Sequence, residues 1–318
     1  MASLLSIFGT AILPILAVGA VGFALGRTKD VDTDPLNTVV VYVLAPALVL
    51  HSLATTTLAG STLVGIVAAV TAYHLVMIVV AEGVGRLLGE TDPLLSALVL
   101  VSAFSNSGNY GIPVSNFAFG DAGRATAVVF LSVQGVLIYT LGVFIASRGG
   151  GSGGLAGAKR VFRIPLVYAV VAALLARGLG VVPPADSTAM VTLKLVGDAS
   201  IPLMLLIVGV QLSRTDVGAT LREVGVATAL KMVVAPVVGL GAVLAVGISD
   251  PTVAKTVVLE TAMPAAVTPI ILVAEFSEGT VSGVPVAQFV STAVFVTTLV
   301  SVPLLTAVIA LLETGLLF

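Results

Sequence analysis

The chain has 318 residues, of which 58% are hydrophobic and 9% charged, with a formal net charge of -2 and no cysteine. Its mean hydropathy of +1.18 excludes a water-soluble globule of this length and defines a polytopic membrane protein. About 20 residues are needed per membrane-crossing helix, so almost no chain is left for a separate enzymatic domain. The missing cysteines exclude disulfides, thiolate metal ligation and thiol nucleophiles.

Apolar runs separated by polar punctuation predict an all-α chain of ten transmembrane spans. They cover roughly 5–26, 36–54, 61–82, 94–119, 123–146, 162–181, 190–212, 217–246, 252–275 and 283–312. The first run is read as a membrane helix and not a signal peptide, because no basic residue precedes it and it is long enough to cross. The glycine- and serine-rich stretch Ser147–Arg160 (SRGGGSGGLAGAKR) reads as a flexible linker. With a linker at 147–161, residues 1–146 and 162–318 form two five-helix halves.

The halves repeat. Pro46 and Pro202, and Pro113 and Pro269, stand at the same offset of 156 residues. An odd number of crossings per half makes the copies insert with opposite orientation, an arrangement found mainly in secondary transporters. Lys and Arg favour the odd-numbered connections: Arg27, Lys29, Arg86, Arg148, Lys159, Arg160, Arg163, Arg214 and Arg222, against Arg124, Arg177, Lys194 and Lys255. The bias places the linker in the cytoplasm and both termini outside.

The fourth span is interrupted by SNSGNYGIP, Ser105–Pro113. Glycines and a proline within one turn break a helix, and irregular backbone survives at membrane depth only where protein or a watery cavity encloses it. Asn106 and Asn109, three apart, are expected on one helix face. These residues, with Ser107, Gly108, Tyr110 and Pro113, make the candidate substrate site. The repeat partner is TAMPAAVTP, Thr261–Pro269, in which Pro264 and Pro269 should unwind the ninth span. Two broken helices would then meet at the midplane. Their second halves would offer helix N-termini suited to an anion. The alternative is a pair of proline kinks used for packing.

Four stretches carry a family resemblance: LNTVVVYVLAPALVLHSL (Leu36–Leu53), SNSGNYGIPV (Ser105–Val114), GDASIPLMLLIVGVQL (Gly197–Leu212) and AMPAAVTPIILVAEF (Ala262–Phe276). In these, in their order and over nearly its whole length, the chain resembles the auxin efflux carrier family, also called PIN-like. The resemblance implies ten helices in two inverted repeats, a scaffold and a transport domain drawn from both, and crossed broken helices four and nine. It further implies elevator-type transport of small organic anions such as malate, malonate or auxin-like acids, often in dimers. Asn106, Asn109, Tyr110 and Pro113 fall at the first crossing, and Pro264 and Pro269 at the second. Alanines at 262, 265 and 266 depart from an asparagine-bearing pattern there.

Ionisable residues inside spans are costly and so are functional candidates. Glu260, beside the second break, is suited to take up and release a coupling proton; an ion pair with Lys231 is the structural alternative. Lys231 alone can also counter a substrate carboxylate. Lys194 and Asp198 should pair on one helix face. His51 and His74 lack a third ligand and make no metal site, so a hydrogen-bonded helix contact is expected for each. Gln134, Gln211 and Gln288 are expected to bond across helices, and Glu82, Glu275 and Glu278 to be solvated at cytoplasmic ends. No cofactor is expected beyond a coupling H+ or Na+. The expected partners are a small organic anion and the lipid bilayer, with no nucleic acid.

The pattern supports a proton- or sodium-coupled secondary transporter in the plasma membrane. A sodium-coupled symporter of the bile-acid type and a gated channel or facilitator are the alternatives. The chain has no HExxH, no GxSxG and no GxxxxGK[ST], so neither an enzyme nor an ATP-driven pump is expected.

Overall fold

The computed structural model describes residues 9, 13–55, 58–149, 165–214, 221–276, 280–281 and 284–318. Helices occupy the expected apolar runs: α1 Leu13–Thr28, α2 Asp34–Thr55, α3 Gly60–Leu87, α4 Leu94–Ala103 and α5 Ser107–Ala146. After the linker come α6 Pro165–Gly178, α7 Thr188–Asp198, α8 Ser200–Arg214, α9 Arg222–Val246, α10 Pro251–Thr261, α11 Thr268–Phe276 and α12 Val286–Glu313. Six helical stretches among the described residues are long and apolar enough to cross a membrane, with α7 and α8 forming one of them. A two-residue hairpin pairs Thr280–Val281 with Val284–Pro285, a small departure from the expected all-α chain. Most of the 147–161 linker, together with Glu278, lies outside the described residues.

Proline explains much of the local helix geometry. Three helices widen to a π turn just before one: Val40–Leu44 before Pro46, Ser107–Gly111 before Pro113, and Leu230–Val234 before Pro236. A proline ring has no N–H and crowds the carbonyl four residues back, so the preceding turn relaxes to i→i+5 bonding. Ala45 N–H accordingly bonds Val40 O. Within α5 the chain turns sharply at Gly120, whose φ of 65° and ψ of -150° lie in a region only glycine adopts readily. The long helix is thus two rods, 112–119 and 121–146.

Glycine sets the closest helix approach. A Cβ on Gly209 of α8 would collide with Gly19 O and lie 2.7 Å from Phe23 N, and one on Gly22 would strike the backbone of Leu206. With no hydrophobic drive between helices in lipid, such backbone-to-backbone packing supplies the van der Waals contact that holds α1 on α8. Gly209→Val should force the pair apart. The expected loss is about 1–3 kcal/mol, read as a lower unfolding midpoint in detergent; an unchanged midpoint would mean the contact contributes nothing.

Candidate functional site

α4 ends at Ala103, and α10 ends at Thr261. Between these ends and the helices that follow, 104–106 and 262–267 run as non-helical chain and cross. They pair as an antiparallel bridge at Ser105 and Ala265. Asn106 N–H donates to Pro264 O at 2.8 Å, and Ala266 N–H to Phe104 O at 2.9 Å. Pro264 keeps its acceptor while having no donor to leave stranded, which fits it to this position.

Side chains complete the crossing. Gln134 of α5 grips the backbone of Ser105 twice: its Nε2 donates to Ser105 O at 2.8 Å, and Ser105 N–H donates to its Oε1 at 3.0 Å. Thr297 Oγ1 of α12 accepts from Ala265 N–H at 3.1 Å. Lys231 enters from the π turn of α9 and donates to Ser105 Oγ (2.6 Å), Tyr73 OH (3.1 Å) and Thr261 O (3.1 Å). Three acceptors match the three N–H bonds of an ammonium. Lys231 is fully buried.

Glu260 is fully buried too. Ser115 Oγ donates to its Oε1 at 2.6 Å, and its Oε2 has no hydrogen-bond partner among the described residues. Gly111 lies directly against this carboxyl, where any Cβ would overlap it. The ion pairs among the described residues do not include Glu260 with Lys231, so the two groups act on one another only through space.

The expected substrate residues separate into three groups. Asn106 lines a cavity of about 240 Å³. Pro264 is buried in the crossing itself, and Ser107, Tyr110 and Pro113 of α5 and Pro269 of α11 are buried beside it, with Tyr110 OH facing Ser301 Oγ at 3.5 Å. Gly108 and Asn109 are half-buried in the π turn and off the cavity wall. Asn106 and Asn109 do not share a helix face as expected: Asn106, with φ of -74° and ψ of 59°, is not helical, so helical spacing does not apply. Apolar Val208, Leu212, Val267, Ile270 and Val294 make most of the cavity wall. Gln211, Ser291, Thr298 and Thr33 join Asn106 as its polar groups, and no ionisable side chain lines it among the described residues.

Elsewhere, Lys194 pairs with Asp198 (2.5 Å), which also holds the buried Arg124 of α5 (2.6 Å). Glu82 is not simply solvated: Arg148 takes both its oxygens at 3.0 and 2.8 Å, and Arg86 binds it from the next turn. Arg148 lies at the end of α5, too far along the chain for helical spacing to reveal. The Glu275 side chain lies outside the described residues.

The sequence profile of the family described as membrane transport protein matches residues 7–154 and 157–309, nearly the whole chain. The chain belongs to the membrane transport protein family. The four motifs that carry the auxin efflux carrier resemblance lie within those matched residues. The chain is also similar to an uncharacterized transporter of Methanothermobacter thermautotrophicus, with 25% identity over 301 residues, 94% of this chain and 96% of that protein. A multi-pass membrane transporter is therefore the setting in which the crossing is read.

In that setting the Gln134 amide is a structural necessity. Gln134→Leu keeps the volume but leaves Ser105 N–H without its partner and weakens the pairing of Ser105 O. Each orphaned group should cost about 1–3 kcal/mol, measured as a lower thermal midpoint in lipid nanodiscs. A variant as stable as the parent would show that the crossing is held without it.

Proposed function

We propose that this transporter is a secondary active carrier that moves a small organic anion by elevator-type alternating access. The observation that carries the reading is the cavity beside the crossing. Its apolar walls suit a carbon skeleton, and its amide and hydroxyl groups suit carboxylate oxygens. Val267, just before α11, and Ile270 in its first turn belong to the same wall, and a helix N-terminus favours negative charge without a basic side chain. The bridge ties α4, α5, α10 and α11 together, which suits a unit that shifts as one body against the remaining helices.

In this reading ten helices form two inverted repeats, 1–146 and 162–318. The basic-residue bias supports a cytoplasmic linker and extracytoplasmic termini in a plasma-membrane protein. Glu260, buried beside the crossing with one oxygen unpartnered, is the leading carrier of a coupling proton. Lys231, with its three hydrogen bonds made at the crossing, positions the backbone and does not touch the substrate.

Uptake of labelled malate, malonate and indole-3-acetate into proteoliposomes, under imposed pH or sodium gradients, tests the proposal. Saturable flux of one acid that follows one gradient is expected; a proton gradient favours Glu260, and a sodium gradient favours the bile-acid-type symporter. Flux that never saturates and ignores both gradients would overturn the carrier in favour of a channel. Asn106→Leu should lower uptake by roughly tenfold or more, equivalent to about 1.4 kcal/mol, and Asn109→Leu by less, because only Asn106 faces the cavity. Equal losses would relocate the binding site. Glu260→Gln should flatten the pH profile of uptake, and an unaltered profile would remove Glu260 from coupling.

A further inference from the structure

His74 is fully buried in the middle of α3, and each of its ring nitrogens faces an oxygen. Nδ1 lies 2.7 Å from Val70 O, one turn back, and Nε2 lies 3.2 Å from Gln134 Oε1. Val70 O is a carbonyl and accepts only. Gln134 is held in one orientation by Ser105, whose N–H requires the amide oxygen and whose C=O requires the amide nitrogen. Turning the amide round would gain one bond to His74 and set like groups against each other at both atoms of Ser105. Gln134 Oε1 is therefore an acceptor as well.

A neutral imidazole carries one N–H and one lone pair. Either neutral tautomer would aim its lone pair at an oxygen within hydrogen-bonding distance. The imidazolium, with two N–H groups, satisfies both contacts. We propose that His74 is a proton-binding site of the transport cycle, and that the bound proton locks Gln134 onto Ser105 and so fixes the crossing.

The proton enters at Nε2, the lone pair of the Nδ1–H tautomer, and leaves the same way. Without it, the lone pair repels Gln134 Oε1, the amide moves, and the backbone of Ser105 loses its grip. The groups around the ring are few. Tyr73 on the same helix stands edge-on with centroids 4.8 Å apart, Phe104 lies at 5.2 Å and Phe130 of α5 at 5.8 Å. The charged group that acts on the ring is Lys231 of α9, whose Nζ bonds Tyr73 OH and lies 5.7 Å from the Tyr73 ring centroid. Burial strips an imidazolium of its hydration and the Lys231 ammonium repels it, so the proton stays only while both oxygens hold it. That ties the residence of the proton to the geometry of the crossing. Burial also means that exchange with water requires the crossing to open.

The role in transport rests on the carrier reading, whereas the proton site does not. The chain has two histidines, so His51→Gln leaves His74 as the one imidazole signal. With 15N-histidine labelling of this variant in nanodiscs, NMR between about pH 5 and 8, the range in which imidazole changes charge, should show both ring nitrogens protonated together. Adding Gln134→Leu should convert the ring to the neutral Nδ1–H tautomer at the same pH. A single neutral tautomer across the whole range would overturn the proposal, as would an imidazolium indifferent to Gln134→Leu. In proteoliposomes, His74→Gln should remove a pH-dependent step from uptake, and a profile identical to the parent would overturn the role in the cycle. Absence of any acid flux with the NMR result intact would instead strike the carrier reading and leave the proton site standing.

Discussion

Two helices broken at the same place must find hydrogen-bond partners where lipid offers none. Each peptide group left bare in hydrocarbon costs several kcal/mol, and this constraint governs the centre of the molecule. The chain meets it by making each break the partner of the other: Asn106 N–H takes Pro264 O, and Ala266 N–H takes Phe104 O. What the bridge does not satisfy falls to single side chains from surrounding helices, Gln134 for Ser105 and Thr297 for Ala265. A residue at these positions is chosen for its donors and acceptors before it is chosen for shape.

The same constraint explains three of the irregular turns. A proline within a helix leaves a carbonyl without its donor, and the π turns preceding Pro46, Pro113 and Pro236 absorb that loss over five residues without ending the helix. Two of them also serve the site. The turn at Ser107–Gly111 brings Gly111 against the Glu260 carboxyl, and the turn at Leu230–Val234 carries Lys231 into the crossing. Irregular backbone and buried charge thus occur together because one positions the other.

The breaks were legible in the sequence because glycine and proline act locally: Ser105–Pro113 and Pro264–Pro269 could be marked without knowing any neighbour. The partners were not legible. Gln134 stands 29 residues from Ser105, in a helix whose place beside the break depends on the turn at Gly120, and nothing in its flanking residues separates it from Gln211 or Gln288. The expectation that Asn106 and Asn109 share a face failed for a related reason, since helical spacing presupposes the helix that the glycines remove. Glu82 looked solvated from its position near a helix end, and only folding brings Arg148 to it. The cavity, built from α8, α12 and both broken segments, has no local signature at all.

Lys231 and Glu260 occupy the crossing without touching, and this separation bears on motion. Burying two opposite charges as a close pair would favour a static core, because the pair's attraction offsets part of the desolvation of each. Here the ammonium is satisfied by a hydroxyl, a phenol and a carbonyl, while the carboxyl keeps one bond and one bare oxygen. Lys231 bonds the backbone of Thr261, and Glu260 precedes that residue in the chain. Displacing the crossing would therefore alter the surroundings of both charges at once. Any state in which water reaches Glu260 also changes the field at Lys231, and through Tyr73 and Ser105 the hydrogen bonds that hold the bridge. Charge and conformation are thereby made interdependent by the backbone between them, which a direct ion pair would have prevented.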